Sequence, residues 1–211
     1  MKLYTFFRSS AAYRARIALN LKGLAYNSVS IHLSKDGGLN KKADFRAINP
    51  QMRVPALALD NGETLIQSLA IIEYLDETHP EPPFLPRDAV ARAKVRAVAQ
   101  IVACDIHPLN NISQLRYLKD VLGQDQARID AWYHHWVNGG FDAIEALIQP
   151  GPYSFGAQVT LADICLVPQL GNARRYGCDL AKHPTIVEIE KSCMALPAFA
   201  DAAPEKQPDA E

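Results

Sequence analysis

The change of hydrophobic period within the opening stretch constrains this chain more than any other feature. Lys2-Leu3-Tyr4-Thr5-Phe6-Phe7 mixes β-branched, aromatic and apolar side chains and reads as a strand. After Arg8 the period changes. Tyr13, Ile17 and Leu21 recur at four-residue spacing, as on one face of a helix, and Gly23 sits where a helix C-cap belongs. Ser9-Ser10 falls at the junction, where N-caps occur. A strand that delivers two hydroxyls to a helix N-terminus makes a site for negative charge, because the first N–H groups are unpaired and the helix dipole points at it. On this stretch alone the plainer reading is that one serine simply caps the helix.

The sequence has 211 residues, 48% of them hydrophobic, enough to bury the core of one or two compact domains. Its 22 basic and 23 acidic residues leave a formal charge of −1, which argues against nucleic acid or an anionic membrane as a partner. No apolar run approaches a membrane span, and the N-terminus lacks a signal-peptide core. Cys104, Cys165, Cys178 and Cys193 are scattered in no framework spacing, so free thiols and a cytoplasmic setting are expected.

Tyr26 to Leu33 alternates as a second strand, and Asn40 to Ile48 reads as a short helix. Val54 to Leu59 and Glu63 to Ile66 flank Asp60-Asn61-Gly62, whose Asn-Gly predicts a type I′ hairpin turn. Gln67-Ser68 then opens a helix with Leu69, Ile72 and Leu75 as its apolar face. The order is βαβαββα. His79 to Pro86 is Pro-dense and reads as a linker. Beyond it the patterns are helical: Asp88 toward Tyr117, Gln126 to Ile148 with Trp132, Trp136, Phe141 and Leu147, a helix capped by Thr160-Leu161-Ala162-Asp163, and Pro184 to Met194. The polar segment from Pro204 is expected to trail over the surface. The expected architecture is α/β followed by all-α, with domains at 1–79 and 88–211.

Several candidate sites fail on their spacing. Cys104-x-x-His107 is half a zinc motif without its second pair, so a buried thiol and a polar histidine are expected. His134 and His135 are adjacent and point to different helix faces, so at least one should lie on the surface. Gly37-Gly38 and Gly139-Gly140 are isolated turns or breaks, not a phosphate loop. A redox Cys-x-x-Cys is absent where Ser9-Ser10-Ala11-Ala12 stands. Three features survive: the hydroxyls of Ser9 and Ser10, the Val54-Pro55 bond entering a strand, and Gln67-Ser68 at a helix start. Only about 5–6% of X-Pro bonds are cis, so the sequence alone favours trans at Pro55.

That order of features resembles the thioredoxin-like glutathione-binding domain and helical domain of glutathione transferases, over essentially the whole chain. More narrowly the chain is similar to the zeta class, the maleylacetoacetate and maleylpyruvate isomerase family. The helix-1 signature of that class is matched by Ser9-Ser10-Ala11-Ala12-Tyr13-Arg14-Ala15-Arg16-Ile17-Ala18-Leu19. Asn49-Pro50 leading to Val54-Pro55, Gln67-Ser68-Leu69-Ala70-Ile71-Ile72-Glu73-Tyr74-Leu75 and Leu166-Val167-Pro168-Gln169 also match. The resemblance implies glutathione as cofactor. Ser9, Ser10 and Ala11 would face its sulfur, Val54 (with Pro55 cis) its cysteinyl unit, and Gln67 and Ser68 its γ-glutamyl end. His107, Asn111, Ile112, Ser113 and Asn40 match further glutathione contacts. The family cysteine after the serines is Ala11 here, which leaves hydroxyl assistance by Ser9 or Ser10 as the simpler catalytic reading.

Members of the class are typically glutathione-dependent cis–trans isomerases of maleylacetoacetate in aromatic degradation, and some relatives act on maleylpyruvate. The resemblance thus implies an enzyme, a small dicarboxylic maleyl substrate and a homodimer. A free thiol with pKa about 8.5 is mostly protonated at neutral pH. A helix N-terminus with one donated hydroxyl hydrogen bond favours the thiolate by roughly 1–3 kcal/mol, or one to two pKa units. The thiolate adds to the alkene, the bond rotates once single, and elimination gives the trans product. A dianion also requires cations, for which Arg8 and Arg175 are the candidates. Arg174 is read as a solvated surface residue, and Arg14 and Arg16 as structural. A general glutathione transferase and a non-catalytic glutathione-binding module are the rival readings.

Overall fold

The computed structural model describes residues 1–149 and 151–211. Backbone contacts divide them into two compact units, Met1–Pro83 with Met194–Glu211, and Phe84–Cys193.

In the first unit the strands are β1 (Lys2–Thr5), β2 (Asn27–Ser30), β3 (Ala56–Ala58) and β4 (Thr64–Ile66), and the sheet order is β2-β1-β3-β4. β1 runs parallel to β2, with Leu3 opposite Ser28, and antiparallel to β3, with Leu3 opposite Leu57. The helices α1 (Ser10–Leu21), α2 (Ala43–Ile48) and α3 (Ser68–Thr78) complete the expected βαβαββα order. Alternation along β1 sorts its side chains between two layers. Tyr4 meets the ring of Phe45 from α2 edge-on at 5.9 Å, and Phe6, Phe7 and Val54 continue that cluster. Thr5 instead takes a hydrogen bond from Arg16 of α1, and α1 packs against α3.

Several local expectations change. The β3–β4 connection is not a two-residue type I′ turn. Leu59 N–H donates to Glu63 O at 2.8 Å and Gly62 N–H to Leu59 O at 3.1 Å, with only Gly62 in the loop at positive φ (90°). Three residues make a type I turn closed by a left-handed glycine, which lets Asn61 keep ordinary φ and accept the Glu63 N–H on its side chain. On α3 the buried positions are Ser68, Ile71, Ile72 and Leu75, and Leu69 is only half-buried.

The C-terminal segment is the largest correction, both to a helical domain spanning 88–211 and to a tail lying loose on the surface. Tyr13 Oη donates to Phe199 O (3.0 Å), Asn20 Nδ2 to Ala198 O (3.1 Å) and Arg16 Nε to Ala202 O (2.9 Å). Phe199, Ala202, Ala203 and Gln207 are buried. Polar side chains of α1 thus hold the backbone of the 198–202 stretch, and the polar tail beyond Pro204 is anchored through buried Gln207. The short helix α10 (Pro197–Ala200) lies within the C-terminal segment.

The second unit contains α4 (Ala89–Gln100), a π-helical turn (Ile101–Ile106), α5 (His107–Asn110), α6 (Ile112–Asp120), α7 (Gln126–Leu147), α8 (Leu161–Arg175) and α9 (Pro184–Met194), whose last residue already groups with the first unit. Asp88 and Asp125 cap α4 and α7 through their carboxylates. Phe84, inside the Pro-rich linker, is buried and accepts the Leu161 N–H. The helix expected to run from Asp88 to Tyr117 is interrupted, because Asn111 is extended (φ −69°, ψ 147°) and caps α6. The core face of α7 is Ile129, Tyr133, Val137, Phe141 and Ile144, while Trp136 and Leu147 are exposed.

Gly139 and Gly140 do not break α7. They differ in their surroundings: a Cβ on Gly140 would stand 2.3 Å from Cδ1 and 2.4 Å from Cγ1 of buried Ile106, whereas one on Gly139 would meet nothing within 4 Å. Gly140→Ala is expected to destabilise the protein by about 1–2 kcal/mol, since overpacking against a χ1-stiff isoleucine outweighs the gain in helix propensity. Gly139→Ala should stabilise by about 0.5–1 kcal/mol. Paired denaturant melts check both, and equal shifts of one sign would mean that α7 does not sit this close to the π-helical turn.

Candidate active site

The expected site residues fall in both units, and each group is best taken by itself. In the first unit, Ser9 is the N-cap of α1. Its Oγ accepts the Ala12 N–H at 3.2 Å, and its own N–H goes to Phe6 O at 2.9 Å. A hydroxyl that accepts through a lone pair still has its hydrogen to donate, so capping and catalysis do not compete for the same atom. Ser10 is the buried first residue of α1, Ala11 is half-buried, and no acidic side chain stands in the first turn to neutralise the helix end.

Val54 is buried, its bond to Pro55 is cis as the family pattern implied, and it lies just beyond the sheet register, which ends at Ala56. Gln67 caps α3 in a left-handed conformation (φ 71°), and its side chain does not bond the helix N–H groups. It donates instead to Gln51 Oε1 at 2.7 Å. Ser68 is buried, and its Oγ accepts from Arg14 Nη1 at 3.4 Å. Asn40 Nδ2 donates to Met52 O at 2.8 Å, which leaves its Oδ1 buried without a partner. Met52 has φ 55°, in a turn organised by buried Asn49, whose Nδ2 donates to Arg53 O and whose Oδ1 accepts the Gln51 N–H. A γ-glutamyl tripeptide brings carboxylates and many N–H donors. The uncapped N–H groups of α3, the vacant Asn40 acceptor and the unpaired strand end at Val54 suit those groups.

Sequence reasoning missed Gln51 and the bond from Arg14 to Ser68. Gln51 was visible only as one residue of the Asn49–Pro55 run. The structural reading of Arg14 and Arg16 holds: both are buried in α1. Burial pulls the Arg16 guanidinium down to about 10, partly offset by Tyr26, Tyr13 and Asp209, so it stays cationic at neutral pH.

In the second unit, the interruption of the helix at Asn111 groups the other expected residues. Half-buried His107 stands 3.2 Å through Nε2 from Asn111 Nδ2, and Asn111 Oδ1 accepts both the N–H and the Oγ–H of Ser113 at 3.1 Å. Ile112 is 42% exposed, high for an isoleucine held between two polar neighbours. Cys104, in the π-helical turn, is exposed, not buried as its sequence context suggested. Among the described residues no group of three or more metal-binding side chains occurs, and no helix is long and apolar enough to cross a membrane.

The two arginines differ from their neighbours. Arg8 is exposed, with its guanidinium over the Phe7 ring at 4.9 Å. Arg175, at the end of α8, donates to Asn172 Oδ1 at 2.8 Å and lies over Tyr176 at 5.4 Å. The Tyr176 ring stacks on Tyr133 at 4.1 Å, so the platform under Arg175 is fixed in the core. Neither pairs with a carboxylate among the described residues, whereas Arg174 is committed to Glu190. His134 bonds Tyr176 O at 2.7 Å, and His135 is the exposed member of that pair.

The model of the glutathione S-transferase N-terminal domain matches residues 3–83, and that of the C-terminal domain matches residues 137–201. A maleylpyruvate isomerase of Ralstonia is 51% identical, the match covering 99% of both chains. The chain belongs to the glutathione S-transferase family, zeta class. A solved maleylpyruvate isomerase, a bacterial zeta-class transferase in its holo form, superposes with a TM-score of 0.96 at 50% identity over 100% of each chain. A maleylacetoacetate isomerase of Methylobacterium extorquens, solved with malonate and glutathione bound, gives 0.94 at 40% identity, again over 100% of each chain. The zeta-class fold accounts for the thioredoxin-like order of the first unit and the helices of the second.

Proposed function

We propose that this zeta-class enzyme is a glutathione-dependent cis–trans isomerase converting maleylacetoacetate to fumarylacetoacetate in the breakdown of aromatic compounds. The observation that carries the mechanism is Ser9, whose Oγ spends a lone pair on the Ala12 N–H and keeps its hydrogen for an anion at the start of α1. Glutathione, when bound, supplies the sulfur nucleophile that makes rotation about the maleyl double bond possible. Ser9 donates to the sulfur and holds it in its charged form, while buried Ser10 and Ala11 bring the first N–H groups of α1 to the same place. Val54, Gln67, Ser68 and Asn40 hold the tripeptide, and His107, Asn111, Ile112 and Ser113 match further glutathione contacts of the family.

Arg8 and Arg175 bind the substrate carboxylates, a role suited to guanidinium groups that no acidic side chain among the described residues neutralises. The M. extorquens relative was solved with a dicarboxylate, malonate, bound as well as glutathione, which is consistent with it. Arg175→Ala is expected to raise the KM for the maleyl acid about ten- to hundredfold with little change in the KM for glutathione, the loss of one charged hydrogen-bonded contact. Initial-rate kinetics read this directly, and unchanged values would return Arg175 to the surface.

Maleylpyruvate is the second reading for the substrate, because a relative as similar as the Ralstonia protein acts on it by name. The two acids differ by a short acyl extension. Each is offered with and without glutathione, and its loss is followed by absorbance with a fumaryl-specific hydrolase as coupling enzyme. Glutathione-dependent turnover of one over the other names the substrate. No turnover of either would replace the isomerase by a general glutathione transferase. The active form is a homodimer in the cytoplasm, and sedimentation velocity tests the assembly.

A further inference from the structure

β1 ends its ladder at Thr5, whose carbonyl takes the Ile31 N–H, and α1 begins at Ser10. Residues 6–9 therefore lie outside both regular elements, and their position depends on other bonds. The two ends of Phe7 receive opposite charges. Fully buried Arg16 donates through Nη2 to Phe7 O (3.2 Å), through Nη1 to Thr5 Oγ1 (3.0 Å) and Phe6 O (3.5 Å), and through Nε to Ala202 O (2.9 Å). Asp209, half-buried in the C-terminal segment, accepts the Phe7 N–H on Oδ2 at 3.2 Å and the Ser30 hydroxyl on the same oxygen at 2.8 Å. The Phe7 ring is itself buried, edge-on to Phe6. The next residues are Arg8 and Ser9, and Ser9 closes the turn by its bond to Phe6 O.

We propose that Asp209, working with Arg16 from the other side of Phe7, is a positioning residue for the isomerase reaction: the pair clamps the Phe6–Phe7 turn and so fixes where Ser9 Oγ stands at the start of α1. The proposal rests on the role given above to Ser9. Charge-assisted bonds are the stronger kind, and a displacement of about 1 Å at a catalytic group is enough to lower a rate severely. The C-terminal segment thereby acts on the chemistry from the far end of the sequence without touching the reacting atoms.

The test titrates the ultraviolet thiolate band of glutathione bound to the full chain against pH, with steady-state kinetics alongside, for the wild type and for Ser9→Ala, Asp209→Ala, Asp209→Asn and Ser30→Ala. Asp209→Ala is expected to raise the thiolate midpoint by about half to one pH unit and lower kcat at neutral pH about five- to tenfold, with the glutathione KM changed by less than about twofold. Asp209→Asn keeps an oxygen for the Phe7 N–H and should recover most of both. Ser30→Ala should move the midpoint the same way by less.

An Asp209→Ala enzyme with the wild-type midpoint and kcat, even at a lower melting temperature, would reduce the contact to a structural tie and overturn the proposal. So would an Asp209→Asn enzyme as impaired as the alanine variant. Should Asp209→Ala not fold, an unchanged midpoint in Ser30→Ala overturns the clamp equally. The two readings separate cleanly. If Ser9→Ala shifts the midpoint and Asp209→Ala does not, only the clamp fails. If Ser9→Ala leaves it unmoved, the role of Ser9 fails and the clamp with it.

Discussion

Ser9→Ala is expected to lower kcat about ten- to hundredfold, because a hydrogen bond to a charged group contributes about 1.5–3 kcal/mol. The KM for glutathione should stay within about threefold, since the sulfur is one contact among many that hold the tripeptide. The same substitution removes a helix cap, at a cost of about 1 kcal/mol to stability. These two losses come from different atoms of one hydroxyl. The cap uses the Oγ lone pair that receives the Ala12 N–H, and the proposed catalytic contact would use the hydrogen. Ser9→Asn separates them, because an asparagine at this position restores the cap but offers an amide of different reach to the sulfur. Recovered melting temperature with kcat still depressed would establish the second role. Parallel recovery of both would mean that Ser9 only holds α1. Ser10→Ala is the internal comparison: Ser10 lies buried one residue further along, so its loss should affect turnover less than that of Ser9.

The βαβαββα order and the placing of Ser9, Val54 and Gln67 at element boundaries were legible because each is written in local chemistry. A change of period marks the start of α1, Asn49-Pro50 ends α2, and Gln67-Ser68 follows a strand. Less legible were features that depend on what arrives from elsewhere in the chain. Pro204 to Glu211 is polar and carries two prolines, and nothing within it signals that Ser30 and the Phe7 N–H will supply partners for its Asp209. The α4–α6 stretch has continuous helical periodicity, so the extended Asn111 that gathers His107 and Ser113 leaves no gap in the pattern. Gly139-Gly140 looks like a break by composition. Its actual role at Gly140, close approach to Ile106, is set by a residue more than thirty positions away. Arg174 and Arg175 are separated in the sequence only by the family resemblance, and the ion pair of Arg174 with Glu190 comes from a residue 16 positions further along the chain.

Asp163→Ala is expected to be the most destabilising single change in the second unit, by about 3–5 kcal/mol, through the exposure of unmet donors in a sealed site. The Asp163 carboxylate is fully buried. One oxygen accepts the Ser154 N–H at 2.7 Å; the other accepts the Thr160 N–H at 2.7 Å and the Thr160 hydroxyl at 3.0 Å. Burial pushes this carboxyl up from its ordinary value, and the bonds from Ser154 and Thr160 pull it back. Alanine would leave two buried backbone N–H groups without partners, each at about 1–3 kcal/mol, together with the lost cap of α8. Asp163→Asn would fare little better than alanine, since the new amide must turn a donor toward one of those N–H groups. The Thr160-x-x-Asp163 spacing announces the cap alone, and the extra cost comes from Ser154, which ties the preceding loop to the same side chain. For a chain of this size the loss corresponds to a fall in melting temperature of about 10 °C. Thermal unfolding of Asp163→Ala and Asp163→Asn beside Thr160→Ala measures it. If Thr160→Ala costs as much as Asp163→Ala, the cap alone sets the energy and the bond to Ser154 adds nothing. A much larger loss at Asp163 would show that one carboxylate holds both the start of α8 and the loop before it.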